Sequence, residues 1–344
     1  MGAARNFPTL KMPRLSEQDL IARYFAPLAG PGGLGLLDDA ALLAPSPGTE
    51  LVLTADALVA GVHFFAEDPP EKIAEKALAV NLSDLAAKGA DPLGFLLTLA
   101  LPGDWTPDWL AAFSRGLGEM AALSNCPLLG GDTVATPGPL TLSITALGSV
   151  PAGKLVRRTT ARPGDALYVS GTIGDAALGL ALRKSQVNGE QKPGWAQNLT
   201  PEQCEALVDR YLSPRPRKQL VSALRACASA AMDVSDGLIG DLRAMMRASG
   251  ATAQVDLHRI PLSVAASAAF RADPDLLDTL LCGGDDYEIL CAAPIAEAAR
   301  FEALAQTTGV TVARIGFAAS GSAEAFVGFD GQPRAFERDR FSHF

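Results

Sequence analysis

Apolar positions recur along the chain with periods that switch between helix and strand. Residues 16–28 carry a helical spacing, with Ser16 as N-cap and Asp19 three positions on as a weak capping box. A Gly/Pro-rich turn, GPGGLG, follows. Residues 50–56 (ELVLTAD) predict a strand that runs into a loop. Residues 70–88 return to helical periodicity, with Ala77, Val80, Leu82 and Leu85 among the apolar positions. A strand over 93–101, a helix over 107–123, a short apolar stretch at 127–129 before a GGDT loop, and an alternating strand over 140–150 complete a β-α-β-α-β-β unit. A second unit starts near Pro151, with a strand at 165–170 and a helix at 174–184. The polar run SQVNGEQKPGWAQNLT predicts an exposed loop. A helix over 217–230, a strand end at 231–234 and a helix containing 241–249 follow. Strands and helices then alternate to about residue 320, and a hairpin over 326–334 turns at Asp330-Gly331. The pattern predicts two α/β domains, 1–150 and 151–344, the first built on a mixed sheet.

Composition agrees with this class. Hydrophobic residues make up 48% of the 344 and aromatics only 6%, so the cores are Ala, Leu and Val. No apolar run reaches the roughly 18 residues of a membrane span. The N-terminal MGAARNFPTLKMPR lacks the apolar segment of a signal peptide, and Asn6 breaks the myristoylation pattern. The five cysteines, odd in number and without a CxxC pair, predict free thiols in a reducing cytoplasm. A net charge of −9 without a Lys/Arg-rich run argues against nucleic acid as a partner.

That negative charge gathers where apolar segments end. Asp38-Asp39, Asp56, Asp84, Asp132, Asp233, Asp236 and Asp285-Asp286 all sit in such loops, several beside Gly or another small residue. Any one alone reads as a turn residue or N-cap. As a set on one rim of an α/β fold they would repel one another without cations. Hard divalent ions with oxygen ligands are the natural remedy, and Mg²⁺ shares its sphere with substrate phosphates. Several Mg²⁺ ions held for a nucleotide are therefore expected. Asp241, one position into the following helix, is expected to be solvated. Gly30, Gly32 and Gly35 fit GxGxxG, but a helix precedes them and a strand follows, so they predict a turn. A P-loop and zinc-type Cys/His spacing are both absent from the sequence. His63 in AGVHFF suits a packed core histidine or a ligand contact equally. Arg157-Arg158 and Arg162 form a basic cluster that suits a solvated loop or a phosphate clamp.

The motifs LGLLDDAAL, LTADALVAGVHF, KALAVNLSDLAAKGADP, LGGDT, MDVSDGLIGDL and GGDDYEIL occur in this order. In that order they resemble the thiamine-monophosphate kinase family, from about residue 16 to the SHF end. NLSDLAAKGADP marks the wider aminoimidazole-ribonucleotide-synthetase-like superfamily of ATP-binding enzymes. The resemblance implies ATP-dependent phosphorylation of thiamine monophosphate to thiamine diphosphate with Mg²⁺, the last step of thiamine diphosphate biosynthesis. It implies a homodimer whose N-terminal sheets join, and a C-terminal domain that closes over nucleotide and substrate. Carried over by motif, Asp39, Thr54, Ala55, Asp56, Asp84, Asp132, Asp233 and Asp236 are implied as metal ligands, Ala55 through its carbonyl alone. Gly131, Asp132, Arg158 and Ser235 are implied as ATP contacts. His63, Asp285 and Arg338 are implied as substrate contacts. The chain departs from the family's pattern in four places: Leu37 replaces a glycine, Ala55 the threonine of a Ser-Thr-Asp and Asp285 a glutamate. Arg338 stands where an aromatic facing the thiamine ring is expected, with Phe336 and Phe341 nearby.

The expected chemistry is direct in-line transfer without a phosphoenzyme, since the acceptor phosphate is already ionised. Asp56, Asp84, Asp132 and Asp236 are the expected catalytic carboxylates, acting through metal. The alternatives are another ATP-dependent enzyme of the same superfamily, or a metal-dependent phosphohydrolase that uses water as acceptor.

Overall fold

The computed structural model describes residues 15–321, 324–328 and 331–336. Two sheets organise them. The first has four strands, β1 (Thr49–Val59), β2 (Asp91–Leu101), β3 (Leu128–Ala135) and β4 (Thr141–Pro151), in the order β1-β4-β2-β3. Only the β2–β3 pair is parallel. The expected order of strands and helices in this half holds, with one correction: GGDT lies within β3, not in a loop.

Along β1, Val52, Thr54, Asp56 and Leu58 turn toward the helices while Leu51, Leu53, Ala55 and Ala57 turn away. The inner face is covered by α2 (Pro70–Ala87), and α3 (Pro107–Ser124) packs against α2 in the same core. The N-terminal segment begins with α1 (Glu17–Leu20), capped by the Ser16 hydroxyl, and continues as a π turn and a 3₁₀ turn to Leu28.

The second sheet orders β11-β10-β7-β9-β5-β8-β6 from β5 (Ala166–Ser170), β6 (Ala230–Val234), β7 (Thr252–Asp256), β8 (Glu288–Ala293), β9 (Val312–Ala319), β10 (Ala325–Val327) and β11 (Pro333–Arg334). Only β10–β7 is parallel among its pairs. The hairpin expected near the C-terminus is β10–β11; Asp330 of its turn lies outside the described residues. The helices of this half are α4 (Asp175–Asn188), α5 (Pro201–Leu212), α6 (Val221–Cys227), α7 (Leu238–Ser249), α8 (Val264–Ala272), α9 (Leu277–Cys282) and α10 (Ala298–Thr307).

Two details differ from expectation here. The run 185–200 is mostly exposed, as expected, but its first residues to Asn188 extend α4, and Ala196 and Leu199 are buried with Trp195 packed on the same core. Helix α5 was unexpected, although Thr200 and Gln203 form a reciprocal capping box at its start.

Helix α2 touches both sheets: β1, β2 and β4 on one side, β6 and β8 on the other. Most of its residues are therefore buried, Lys76 included. Its alanines let both sheets approach, and its apolar residues run nearly all round, as a helix enclosed on every side requires. Full burial of Ile73, Leu78 and Leu85 contributes about 1.5–3 kcal/mol each. The helix carries Lys76, Asp84 and its C-cap Lys88 along the seam between the sheets. Among the described residues no helix is long and apolar enough to cross a membrane. The five cysteines are all buried, and none is in a disulfide.

Candidate active site

Two backbone loops are joined at the end of the second sheet. β6 and β8 are antiparallel neighbours, with Val234 opposite Glu288, so the chain leaving β6 meets the chain entering β8. Asp285 N–H donates to the Ser235 carbonyl at 2.7 Å, and Tyr287 N–H to Val234 at 2.8 Å. The approach is close: a Cβ on Gly284 would lie 2.6 Å from the Ser235 carbonyl oxygen. Asp285 and Tyr287 are held at φ of +64° and +50°, a left-handed backbone that costs roughly 1–2 kcal/mol per non-glycine residue.

Asp241 anchors the first loop. It is buried, and one of its oxygens accepts from the N–H groups of Ser235, Asp236 and Gly237 at 3.0, 3.1 and 3.2 Å. The expectation that it is solvated is corrected: the first turn of α7 folds this carboxylate back under the loop. Burial pushes its carboxyl up to about 7, with the charge of Asp236 adding and the three N–H groups opposing. Asp286 anchors the second loop, fully buried, with both oxygens on Gly174 N–H at 3.0 and 2.9 Å.

The joined loops face α2 and the inner side of β1 across a cavity of about 260 Å³. Asp56 and Asp84 line it from the first half; Asp233, Ser235, Asp236 and Asp285 line it from the second. Thr54, beside them on the inner face of β1, donates its hydroxyl to Asp84. Burial raises Asp56 to about 6, and Asp84 adds to the shift. Burial also raises Asp233, again helped by Asp84. Carboxylates this close resist common ionisation unless a cation joins them.

Sequence reasoning overlooked two cations here. The Lys76 ammonium, on the cavity wall, lies 2.9 Å from Asp285. Lys88 Nζ donates to the Ala231 carbonyl at 2.7 Å. Burial lowers its pKa, opposed by the charges of Asp233 and Asp84. Their places at the two ends of the Ala- and Leu-rich run ALAVNLSDLAA were the available signal.

His63 lines the same cavity, its Nδ1 accepting the Val59 N–H at 3.0 Å. The remaining expected residues lie elsewhere. Asp132 pairs across the sheet with Thr98, Thr98 with Ser143 and Ser143 with Ala57, so it occupies the outward face, opposite Asp56. With Asp39 and Gly131 it lines a second, larger cavity of about 730 Å³. Gly131 is demanded by packing, since a Cβ there would lie 1.8 Å from the Leu97 carbonyl oxygen. Ala55 shares the outward face. Arg158 sits on an exposed loop, lines neither cavity, and accepts a hydrogen bond from Ser249 on its carbonyl at 3.1 Å. Arg338 and Phe341 lie outside the described residues, and Phe336 packs edge-on against Phe326 in the core of the second half.

Residues 37–150 match the AIR synthase related protein, N-terminal domain, and residues 162–327 its C-terminal domain. The thiamine-monophosphate kinase of Caulobacter vibrioides is 45% identical over 306 residues, covering 88% of this chain and 83% of that protein.

The chain belongs to the thiamine-monophosphate kinase family.

Solved structures of the family agree. The thiamine-monophosphate kinase of Stenotrophomonas maltophilia is 41% identical, with a TM-score of 0.75 over 87% of this chain and 91% of that one. A structure described as AaThiL complexed with AMPPCP and TMP is 27% identical, with a TM-score of 0.74 over 91% and 97% of the two chains. The two-domain α/β fold expected from the sequence is thus that of the thiamine-monophosphate kinases.

Proposed function

We propose that the chain transfers the γ-phosphate of ATP to thiamine monophosphate, giving thiamine diphosphate and ADP. The observation that carries this reading is the convergence of Asp56 and Asp84 from one half with Asp233 and Asp236 from the other on a single cavity. A relative bound to an ATP analogue and TMP supports the choice of reactants.

Both reactants are anions, and two unit charges about 4 Å apart repel by roughly 4 kcal/mol at an effective dielectric near 20. The donor set fits a hard cation, being carboxylate and hydroxyl oxygens from Thr54, Asp56, Asp84, Asp233 and Asp236. Among the described residues, no three His, Cys, Asp or Glu groups enclose an ion by themselves, so reactant phosphates complete the sphere in this reading. Mg²⁺ held there supplies charge neutralisation and alignment for in-line transfer. The chain's part is to fix the carboxylates: Asp241 holds the loop of Asp236, and Asp286 holds the loop of Asp285. The acceptor phosphate is its own nucleophile, so no phosphoenzyme forms.

Gly131, Asp132, Arg158 and Ser235 are assigned to ATP, and Asp39, Asp132 and Ala55, the last through its carbonyl, to further Mg²⁺. His63, Asp285 and Arg338 take the substrate. The enzyme is two domains meeting near residue 150, 1–150 and 151–344, and works as a cytoplasmic homodimer. Support for the dimer is the outward sheet face, where Leu51, Leu53, Leu96 and Val134 stand exposed.

Product analysis tests the reading. Protein, ATP, Mg²⁺ and thiamine monophosphate should yield thiamine diphosphate and ADP in equal amounts. Inorganic phosphate without thiamine diphosphate would mean a phosphohydrolase.

A further inference from the structure

Lys76 has no part in a cavity explained by carboxylates and metal alone. Its side chain is 3% exposed, its Nζ lies 2.9 Å from Asp285 Oδ2, and the ammonium sits 4.0 Å from the centre of the Tyr211 ring. A buried ammonium needs an anion, and Asp285 supplies one. The partner, however, is not built for stability alone. Asp285 is 28% exposed, sits at φ +64°, and shares its other oxygen with the Tyr287 hydroxyl at 3.3 Å. Both members of the pair line the cavity, and they come from opposite halves of the molecule. The pair therefore presents one positive and one negative pole to whatever enters.

The substrate of the proposed function has the complementary form, a cationic thiazolium ring system joined to a phosphate. We propose that Lys76 and Asp285 form a receptor for this zwitterion, with Lys76 receiving the phosphate and Asp285 the cationic heterocycle. The inference rests on the function proposed above and deepens it. Lys76 then sets specificity: it makes the cavity favour the phosphorylated form of thiamine over thiamine itself. An all-carboxylate wall would instead repel that phosphate. Tyr211, beneath the ammonium, keeps it desolvated and in place.

Binding of thiamine and of thiamine monophosphate to the full chain, with Mg²⁺ and a non-hydrolysable ATP analogue, tests this. Lys76→Met, which preserves length and packing, should weaken thiamine monophosphate by roughly 10- to 100-fold, as for loss of a charge-assisted hydrogen bond. Thiamine should change by no more than about threefold, so the preference for the phosphorylated form collapses. Lys76→Arg should restore most of it. A purely structural lysine would weaken both ligands alike, and that result, or a preference retained in Lys76→Met, overturns the proposal. Asp285→Asn reads the other pole and does not depend on Lys76→Met folding. It should weaken both ligands by a similar factor and keep the preference; a lost preference overturns the assignment of poles. Absence of thiamine diphosphate synthesis by the unmodified chain would count against the proposed function, while these binding ratios would still decide the role of Lys76.

Discussion

Replacing Glu288 with Gln should destabilise the second half of the chain and loosen the substrate loop together. Glu288 is fully buried at the start of β8. One oxygen accepts from Arg210 Nη2 at 3.0 Å and from Arg217 Nη2. The other accepts from Arg217 Nε at 2.6 Å and from the Ser170 hydroxyl at 2.6 Å. Glutamine keeps one acceptor and turns the other into an N–H₂ group. Whichever oxygen is converted, an N–H then faces a guanidinium N–H, and buried Arg210 and partly buried Arg217 lose their counter-charge. Removing one partner of a buried ion pair costs about 3–5 kcal/mol. Arg217 is about a fifth exposed, which places the expected loss near the lower end, about 3 kcal/mol. Arg210 Nη2 also donates to the Asp286 carbonyl at 2.9 Å, so the loosening reaches the loop that carries Asp285. Urea denaturation should show the stability loss, and steady-state kinetics should show a raised KM for thiamine monophosphate with KM for ATP less affected. Stability within about 1 kcal/mol of wild type and an unchanged KM would refute the claim that this network holds the loop.

Gly171→Ala should attack the same network, because a Cβ there would lie 2.2 Å from Glu288 Oε1 and 2.6 Å from Arg217 Nη2 on a backbone at φ +57°. A loss of about 2–4 kcal/mol, non-additive with Glu288→Gln in a double-mutant cycle, is expected; simple additivity would place Gly171 outside the network. Asp241→Ala strips the acceptor from three backbone N–H groups and should cost about 2–4 kcal/mol and most of the turnover. Asp241→Asn should be milder, because one oxygen receives all three bonds; equal effects of the two variants would contradict that geometry. Asp236→Asn should lower turnover by roughly 1,000-fold or more while the circular dichroism spectrum and melting temperature stay near wild type, and near-normal turnover at saturating Mg²⁺ would remove Asp236 from the catalytic set.

Most of the fold was legible because its elements announce themselves locally. The alternation of 140–150 and the helical spacing of 70–88 survive into β4 and α2 nearly unchanged. GGDT was misread because two glycines and an aspartate look like a turn; pairing with β2 overrides that preference and makes it strand. The run 185–200 looked solvated because its few apolar residues lack periodicity, yet Ala196 and Leu199 are buried against the core. The site divides in the same way. Motifs marked the carboxylates, but not which face each occupies. Strand parity, legible only once the register is known, sends Asp56 and Asp132 to opposite sides of one sheet. Asp241 and Lys76 were missed for a related reason. Each is a charged residue on a helix whose polar position reads as surface until the packing of α7 and α2 shows otherwise.

In the proposed reaction, carboxylates from both halves would hold the metal that neutralises the phosphates of both reactants. Phosphorus-31 NMR with Mn²⁺ in place of Mg²⁺, a non-hydrolysable ATP analogue and thiamine monophosphate reads this directly. Paramagnetic broadening should reach the terminal phosphate of the analogue and the phosphate of thiamine monophosphate alike, and both should sharpen in Asp236→Asn. A thiamine monophosphate signal that stays narrow while the nucleotide broadens would contradict the account.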